Sequence, residues 1–470
     1  MSKQHLGVIG LGVMGRNLAL NAESKGFSAA GYDLSPEKVS QFEAAAQGKK
    51  LVAAHSLKDF VAELETPRRI LMMVPAGAPV DSVLRDLRPF LSRDDIVIDG
   101  GNSYFKDTER RAKELETAGL RFFGMGVSGG EEGALHGPSL MPGGHEESYR
   151  HLEAVLTRMA AQTEDGPCCT YLGPGGAGHY VKMVHNGIEY GIMQAICEVY
   201  AILKTGWSLS AAELRDIFAG WNRGELNSFL VEITALVLAK IDPETKKPLV
   251  DLILDEAEQK GTGKWTAQDS LDLGAAVPSL GAAVYARILS AQKDERVAAS
   301  SILKGPEGRS PGEKGAWIEK MRHALHLMMI VCYTQGFEQL RLASADYKYN
   351  LKMPEIARIW KGGCIIRSKM LDPIATAFRS DASLKNLMLD AFFSRIVNDN
   401  AGSLREAMKL AVDLGVSAPV MGASLAYLDG YRQERLPANL LQALRDCFGA
   451  HTYRRIDRKG VFHTNWSENA

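Results

Sequence analysis

The chain has 470 residues, beyond the length at which one hydrophobic core stops growing, so two or three domains are expected. Hydrophobic residues make up 46% and charged residues 24%, and 55 basic side chains nearly balance 56 acidic ones. This balance gives no field for gathering nucleic acid and favours a small-molecule substrate. No stretch of 18 or more apolar residues occurs, which argues against a membrane span and favours a soluble, cytoplasmic protein.

The first 177 residues alternate short apolar runs with helical segments, as expected of a doubly wound, Rossmann-like α/β domain with a parallel sheet. The predicted strands are Leu6–Ile9, Ser28–Tyr32, Ile70–Val74, Ile96–Ile98 and Arg121–Val127. The helices predicted between them include Ser35–Ala45, Asp81–Phe90 and Lys106–Ala118, with Gly and Pro at the joints.

A glycine-rich turn, Gly10-Leu11-Gly12-Val13-Met14-Gly15, follows the first predicted strand and precedes a helix. In such a motif the first glycine allows a tight turn and the second lets backbone N–H groups approach a pyrophosphate. The third permits close helix packing. Asp33, 18 residues after Gly15, closes the next strand, where a carboxylate can accept hydrogen bonds from an adenosine ribose. These features together predict a dinucleotide cofactor.

Two further turns follow predicted strands, at the edge of the sheet where such folds bind ligands. They are Gly100-Gly101-Asn102-Ser103 and Val127-Ser128-Gly129-Gly130. Their backbone N–H groups and hydroxyls would suit a carboxylate, although each could equally be an ordinary turn.

The alternation of strand-like and helical segments ends after Gly173-Pro174-Gly175-Gly176. Six cysteines are spread along the chain. Only Cys168 and Cys169 are close in sequence, and neighbouring cysteines rarely bridge. No CxxC motif or Cys/His cluster has metal-ligand spacing, so we expect buried free thiols and no metal.

Apolar residues recur at three- and four-residue spacing from His179 onward, which predicts an all-helical domain over 178–434. This region contains an internal repeat offset by about 142 to 145 residues. The matching segments are Leu209–Gly220 with Leu351–Gly362, and Gly191–Gln194 with Gly336–Gln339. The last stretch, 435–470, is cationic and is predicted to be a tail that docks on another surface; its basic residues include Arg445, His451, Arg454, Arg455, Arg458 and Lys459.

One predicted helix face carries Lys182, His185, Asn186, Glu189 and Tyr190 within an arc of roughly 140°. The face would thus combine a base, an acid and polar positioning groups, with a solvated polar face as the alternative. In the second copy of the repeat, the positions that match Lys182, Asn186 and Glu189 hold Leu327, Val331 and Thr334. The second copy is therefore expected to be a scaffold. A further segment, Gln259–Trp265, lacks the spacing of a phosphate-binding P-loop, so a nucleotide triphosphatase is not expected.

These motifs, in this order, resemble those of the long-form 6-phosphogluconate dehydrogenase family over essentially the whole chain. The matching segments are Gly10–Asn17, Asp99–Ser103, Gly126–Gly133, Pro138–Gly144, Lys182–Tyr190, Lys260–Thr266 and Phe448–Tyr453. The resemblance implies NAD(P)-dependent oxidation of the 3-hydroxyl of 6-phosphogluconate and loss of carbon dioxide. The product would be ribulose 5-phosphate, a step of the pentose phosphate pathway, and no metal is implied.

The resemblance implies that Lys182 is the general base for the 3-hydroxyl and that Glu189 protonates C1. Lys182 must begin neutral, and burial with neighbouring cations can lower a lysine pKa towards neutrality. The residues implied for the substrate carboxylate and hydroxyls are Asn102, Ser128, Gly129, Gly130, His185 and Asn186; those for its phosphate are Tyr190, Lys260 and Arg287. The residues implied for the cofactor are Gly10, Leu11, Gly12, Val13, Met14, Gly15, Asp33, Leu34, Ser35, Val74, Pro75, Ala76 and Asn102.

In this family the tail of a second subunit completes the pocket. The resemblance therefore implies an obligate homodimer in which Arg445 and His451 act in the partner's site. It implies no nucleic-acid or membrane partner.

The adenosine-ribose site departs from the family, because Asp33-Leu34-Ser35 stands in place of the usual Asn-Arg-Ser/Thr. The arginine that would hold the 2′-phosphate of NADP is missing. The carboxylate of Asp33 would also repel that phosphate, since two like unit charges about 4 Å apart repel by about 4 kcal/mol at an effective dielectric constant of about 20. Pro75 also stands at a position where a lysine is common in the family. We therefore expect NAD to be preferred over NADP, the family's usual cofactor, although Lys38 could favour NADP to some degree.

Two other functions stay open from the sequence. A β-hydroxyacid dehydrogenase on a smaller substrate would share the glycine motif, Ser128-Gly129-Gly130, Lys182 and Asn186. It would not need Lys260, Arg287 or the tail cations. A catalytically inert cofactor-sensing protein could keep the fold, yet it would have no reason to keep both Lys182 and Glu189.

Overall fold

The computed structural model describes residues 3–306 and 312–467, and the chain divides into two compact units, Met1–Ser424 and Leu425–Ala470. The first unit contains a sheet-based region followed by a helical region. In the described ranges, no helix is both long enough and apolar enough to cross a membrane.

The sheet-based region is Rossmann-like. Its strands are β1 (Leu6–Ile9), β2 (Ala29–Tyr32), β3 (Leu51–Ala53), β4 (Arg69–Met72), β5 (Ile96–Asp99), β6 (Arg121–Ser128) and β7 (Ser139–Gly144), and a separate antiparallel pair is formed by β8 (Gln162–Thr163) and β9 (Gly166–Pro167). The strand order in the main sheet is β3-β2-β1-β4-β5-β6-β7. Strands β1 to β6 pair in parallel, whereas β7 runs antiparallel to β6.

The predicted strands agree with β1, β2, β4, β5 and β6 to within two residues at each end, but β3 and β7 were not predicted. Strand β3 has only three residues, and β7 contains Pro142, Gly143 and Gly144, residue types that are depleted in strands. The predicted parallel, Rossmann-like sheet is confirmed for β1 to β6, and β7 adds an antiparallel edge strand that the sequence did not predict.

The helices of the sheet-based region are α1 (Val13–Ser24), α2 (Pro36–Ala46), α3 (Leu57–Ala62), α4 (Ala78–Leu87), α5 (Phe105–Thr117), α6 (Gly130–His136), α7 (Glu146–Tyr149) and α8 (Glu153–Met159). Helices α2 and α5 lie within one residue of their predicted bounds. Helix α4 begins three residues earlier than predicted, with Pro79 in its first turn, and the predicted end at Phe90 is a 3₁₀ turn, Arg88–Phe90.

The helical region comprises α9 (Ala177–Trp207), α10 (Ala211–Trp221), α11 (Phe229–Ala239), α12 (Thr262–Leu273), α13 (Pro278–Ser290), α14 (Lys293–Ile302), α15 (Lys314–Asp346), α16 (Met353–Ile359), α17 (Leu371–Ser380) and α18 (Ala391–Leu414), with 3₁₀ turns at Leu249–Asp251 and Leu387–Leu389. The boundary between the two units falls within the next helix, α19 (Pro419–Tyr431). Helices α9 and α15 have 31 and 33 residues and pack against each other.

The predicted repeat falls on these two long helices and on the shorter helices that follow them, α10 and α16. A Cβ on Gly191 would lie 2.7 Å from Cys332 Sγ, and a Cβ on Gly336 would lie 2.5 Å from Ile188 Cγ1. The two glycines that the sequence repeat pairs therefore both allow the close approach of α9 and α15.

The second compact unit is organised around Asp446 on α20 (Ala438–Gly449), a fully buried carboxylate. It accepts hydrogen bonds from the backbone N–H groups of Thr452 and Thr464 and from Trp466 Nε1. His463 Nδ1 lies 2.9 Å from Asp446 Oδ1. The predicted tail thus falls within a compact unit that has a polar centre.

All six cysteines are free, but they are not all buried as expected. Cys168, Cys169, Cys332 and Cys364 are buried, whereas Cys197 and Cys447 are exposed. The expectation is wrong for these two, because Cys197 on α9 and Cys447 on α20 each lie on an exposed face of the helix. Within the described ranges, no group of His, Cys, Asp or Glu side chains has an arrangement that could hold a metal ion.

Candidate active site

The Gly10–Gly15 turn joins β1 to α1 with the geometry that its motif requires. Gly10 has a φ of +93°, and a Cβ there would lie 2.9 Å from the carbonyl carbon of Met73. A Cβ on Gly15 would overlap the carbonyl oxygen of Gly10, whereas nothing lies within 4 Å of the Cβ position of Gly12. The open space at Gly12, beside the N-terminus of α1, fits a pyrophosphate. The other members of the turn are Leu11, which is buried, Met14, which is half-buried, and Val13, which is exposed.

Asp33, at the end of β2, is fixed against this turn. Its carboxylate accepts hydrogen bonds from the backbone N–H of Leu11 at 2.7 Å and of Ser35 at 2.9 Å. Lys38 Nζ lies 3.6 Å from Asp33 Oδ2, and the side chain of Leu34 is 82% exposed. The carboxylate is thus held in a fixed orientation beside the glycine turn, and the side chain of the next residue, Leu34, points into open space.

The turns after β4 and β5 lie at the same edge of the sheet as the glycine turn. Val74, Pro75 and Ala76 follow β4, and the latter two are exposed. Asn102 is exposed in the turn after β5. Asp99, which is fully buried, holds that turn by accepting hydrogen bonds from Gly101 N at 3.0 Å and from Ser103 Oγ at 2.6 Å.

Lys182 lies where α9 packs directly onto the sheet. A Cβ on Gly126 of β6 would lie 2.9 Å from Lys182 Cγ, and a Cβ on Gly178 of α9 would lie 2.6 Å from Gly143 N of β7. Glycines on both sides of this contact let the helix approach the strands closely, so Lys182 is only 5% exposed.

A chain of polar contacts joins β6, α9 and α12. Lys182 Nζ lies 3.4 Å from His185 Nδ1, and His185 Nε2 lies 3.2 Å from Ser128 Oγ. His185 Nδ1 also lies 2.9 Å from Asn186 Oδ1, and Asn186 Nδ2 donates to Thr262 Oγ1 at 2.9 Å. The sequence-predicted residues Lys182, His185, Asn186 and Ser128 are therefore brought together in one buried cluster.

Burial sets the protonation of this cluster. It lowers the pKa of Lys182, although the nearby Glu189 carboxylate favours the charged form. Burial also raises the pKa of Glu189, against the opposing effect of Lys182 and Arg287. Burial and the charge of Lys182 hold the pKa of His185 well below 6.5. The face therefore combines a lysine that can act as a base with a carboxyl that can hold a proton, and the solvated-face alternative is excluded.

The residues predicted for the substrate phosphate lie further along α9 and on α13. The Arg287 guanidinium stacks on the ring of Tyr190, 3.3 Å from its centroid, and Tyr190 is buried. Arg287 Nη1 donates to Glu258 O at 3.2 Å, in the segment that leads to Lys260. Lys260 is exposed and lies two residues before the start of α12.

Gly129 and Gly130 have φ values of +122° and +64°, which favour glycine. A Cβ on Gly129 would lie 2.6 Å from Gly363 O, whereas nothing lies within 4 Å of the Cβ position of Gly130. The turn after β6 thus packs closely against Gly363 at Gly129 and faces open space at Gly130.

Sequence reasoning missed Thr262 and Trp360 as neighbours of the cluster. Trp360 is fully buried and packs edge-on against His185, with ring centroids 5.6 Å apart. Its only signal was its place in the repeat, where Phe218 occupies the matching position. Thr262 lies inside the Lys260–Thr266 family segment, but nothing in the sequence assigned it a role.

Arg445 and His451 lie in the second compact unit, and both are exposed. Arg445 Nη1 donates to Gln442 Oε1 at 3.1 Å. Their assignment to a partner's site stays a prediction.

A dinucleotide-binding sheet, joined by its last strands to a helix that carries a buried lysine and a carboxyl group, defines a nicotinamide-dependent dehydrogenase with a helical substrate domain. Family models agree with this class: the NAD binding domain of 6-phosphogluconate dehydrogenase matches residues 5–173, and its C-terminal domain matches residues 178–466. The chain belongs to the 6-phosphogluconate dehydrogenase family.

Individual relatives match along the whole length. The NADP(+)-dependent, decarboxylating 6-phosphogluconate dehydrogenase of Bacillus subtilis is 54% identical over 99% of this chain and 100% of its own. The decarboxylating enzyme of Escherichia coli (strain K12) is 53% identical over the same shares. The solved structure of Plasmodium falciparum 6-phosphogluconate dehydrogenase, described with NADP+ and with 6-phosphogluconate, superposes with a TM-score of 0.94 at 41% identity, covering 98% of this chain and 100% of that one.

Proposed function

We propose that this protein oxidises and decarboxylates 6-phosphogluconate to ribulose 5-phosphate and carbon dioxide, with reduction of NAD(P). The observation that carries the proposal is the buried Lys182–His185–Ser128 cluster, with Glu189 on the same helix and a dinucleotide turn at the same sheet edge. Full-length similarity to decarboxylating 6-phosphogluconate dehydrogenases supports it.

The glycine turn, Asp33 and the turns after β4 and β5 would hold the cofactor, whose nicotinamide supplies a hydride acceptor for C3. Lys182, which burial keeps towards its neutral form, would remove the proton of the 3-hydroxyl. The resulting ammonium would then stabilise the negative charge that develops at the keto oxygen as carbon dioxide leaves. Glu189, which burial keeps towards its protonated form, would protonate C1.

The substrate would bind along the same face of α9. Ser128 and the N–H groups of the open turn at Gly130, together with Asn102 and Asn186, would hold the carboxylate and hydroxyls. His185, neutral because its pKa is lowered, adds hydrogen-bonding capacity without adding charge. Tyr190, Lys260 and Arg287 would bind the phosphate. We further propose a homodimer in which the tail of each subunit supplies Arg445 and His451 to the partner's site.

We also propose that NAD is preferred over NADP, although the Bacillus subtilis relative is named for NADP(+). Asp33 is oriented by the N–H groups of Leu11 and Ser35, and Leu34 offers a 2′-phosphate no donor. Lys38 is the one nearby cation that the sequence suggested, and Asp33 already pairs with it at 3.6 Å. The positive charge of Lys38 is therefore partly neutralised by Asp33 before a 2′-phosphate could bind.

Turnover with 6-phosphogluconate tests the proposed reaction. The purified protein, given 6-phosphogluconate and either cofactor, should form reduced cofactor and carbon dioxide in equal amounts. Lys182→Met provides the control for contaminating activity. Oxidation of a small β-hydroxyacid without reaction on 6-phosphogluconate would favour the smaller-substrate dehydrogenase, and cofactor binding without turnover of either would favour the sensing protein.

A further inference from the structure

Arg111 on α5 is a charged side chain in the interior of the first compact unit, with an exposure of only 1%. Its Nε and Nη2 donate to the two carboxylate oxygens of Asp81 at 2.8 and 2.9 Å, a forked pair. Nη2 also donates to Gly77 O at 3.0 Å, and Nη1 lies 3.7 Å from Asp99 Oδ2. One guanidinium therefore contacts residues that border two different loops.

These partners border the turns that follow β4 and β5. Gly77, with a φ of +87°, ends the Val74–Gly77 turn, and Asp81 lies in the first turn of α4 directly after it. Asp99 holds the next turn through Gly101 N and Ser103 Oγ. Arg111 thus connects the turn that carries Val74, Pro75 and Ala76 to the turn that carries Asn102.

Packing alone does not account for a guanidinium at this position. Burying a charged group costs free energy, and an apolar side chain of similar volume would fill the space without that cost. A planar fork that donates to the Asp81 carboxylate and the Gly77 carbonyl instead fixes the loop after β4 to α5. The ion pair of Nη1 with Asp99, at 3.7 Å, then relates the loop after β5 to the same guanidinium.

We propose that Arg111 is a positioning residue, which holds the turns after β4 and β5 in the register needed to bind the nicotinamide cofactor. The inference rests on the proposed function, since it takes these two turns to be the cofactor loops. Arg111 acts through Gly77, Asp81 and Asp99 rather than by touching the cofactor.

The neighbouring residue supplies a matched control. Arg110 Nη2 also donates to Asp81 Oδ1 at 2.9 Å, and Arg110 Nη1 donates to Glu114 Oε1 at 3.0 Å, but its side chain is 45% exposed. The same substitution can therefore be made at two adjacent arginines that share Asp81. Arg111→Lys keeps the positive charge near Asp99 but loses the fork.

The experiment measures the Kd of NADH and NADPH by fluorescence titration, and the substrate KM at saturating cofactor. Arg111→Lys should raise the cofactor Kd by about tenfold, as expected for loss of a charge-assisted hydrogen-bond pair. The substrate KM should rise less than the cofactor Kd, by at most about threefold, because Asn102 is the one proposed substrate residue in these turns. Arg110→Lys should leave both constants within about twofold, because solvent-exposed pairs contribute little. A larger effect on the cofactor Kd than on the substrate KM would not arise from a general loss of structure.

A second variant keeps the proposal testable if Arg111→Lys does not fold. Asp81→Asn changes a partly exposed partner, keeps the Arg111–Asp99 contact, and should weaken cofactor binding by about threefold beyond the effect of Arg110→Lys. Equal effects at Arg110 and Arg111, an unchanged cofactor Kd in Arg111→Lys and Asp81→Asn, or equal losses for cofactor and substrate would overturn the inference. A wild-type protein that binds neither cofactor would instead overturn the proposed function.

Discussion

Lys182 and Glu189 show how much of a residue's role can be predicted from the sequence. Their spacing places them on one helix face, but it does not reveal whether that face meets water. A solvated lysine would keep its usual pKa and be protonated at neutral pH. The structure places Lys182 against Gly126, and the resulting burial moves the pKa values of Lys182 and Glu189 towards each other. The chemistry therefore depends on a glycine to which the sequence analysis gave no role of its own.

Lys182→Met should abolish oxidation and leave cofactor binding intact. Methionine fills a similar buried space but has no ionisable nitrogen, and loss of a general base typically costs about 10² to 10⁴ in rate. The measurements are steady-state kcat and the Kd of the reduced cofactor, with Lys409→Met at an exposed position of α18 as the control. Activity within tenfold of wild type would show that Lys182 is not the base.

The pH profile of kcat/KM should be bell-shaped. As the pH falls, Lys182 becomes protonated and is lost as a base; as the pH rises, Glu189 loses the proton that it must donate. Because burial lowers the pKa of Lys182 and raises that of Glu189, both limbs should lie closer to neutrality than the ordinary values of these groups. Glu189→Gln should lower the maximum and remove the alkaline limb. An alkaline limb unchanged in this variant would contradict the role of Glu189.

Asp33→Asn combined with Leu34→Arg should shift preference towards NADP. The side chain of Leu34 is 82% exposed, so an arginine can stand there without disturbing the core and offer a forked cation to a 2′-phosphate. Asparagine removes the like charge, and its amide oxygen can still accept a backbone N–H. The ratio of kcat/KM for NAD to that for NADP should fall at least about tenfold, or about 1.4 kcal/mol. Leu34→Gln is the uncharged control, and a tenfold NADP preference in wild type would show that Lys38 or another group decides.

At the scale of elements, the sequence predicted strands where residues follow their own propensity and failed where packing decides. Strand β7 contains Gly143, where a Cβ would overlap the start of α9. Its residues suit the helix that packs on the strand, so they give no local strand signal. Helix α9 was predictable because its apolar periodicity and its polar face agree, whereas the partners of Arg111 and Asp99 come from separate elements and leave no spacing to detect.

Gly126→Ala tests the contact between β6 and α9. The added Cβ would meet Lys182 Cβ and Cγ, so the helix must shift away from the strand. Overpacking of this kind typically costs about 1–3 kcal/mol of stability, and kcat should fall because Lys182 moves relative to Ser128. Gly402→Ala on α18, where nothing lies within 4 Å of the Cβ position, should be neutral or stabilising by up to about 1 kcal/mol. Denaturant unfolding and kcat measure both effects, and equal behaviour of the two variants would contradict this account.

At the scale of the whole molecule, the tail is the part whose role the sequence could suggest but not place. The unit Leu425–Ala470 has a buried polar centre at Asp446, and large apolar side chains of α20 are exposed, among them Leu440, Leu444 and Phe448. A segment this small has little core of its own. Exposed apolar groups beside cations favour the proposal that it docks on a second subunit, as expected from the family.

Hybrid dimers test whether the tail acts across subunits. Deletion after Leu436 should abolish activity, and so should Lys182→Met and Arg445→Ala as separate proteins, because each lacks one half of every site. When the two point variants are mixed and exchange subunits, a hybrid dimer has one site in which an intact Lys182 meets an intact tail. Random exchange makes half of the dimers hybrid, so activity should recover to about a quarter of wild type. Mixing Arg445→Ala with a Lys182→Met, Arg445→Ala double variant supplies no intact tail and should recover nothing. If subunit exchange is verified by mass and the first mixture also stays inactive, the tail acts within its own chain.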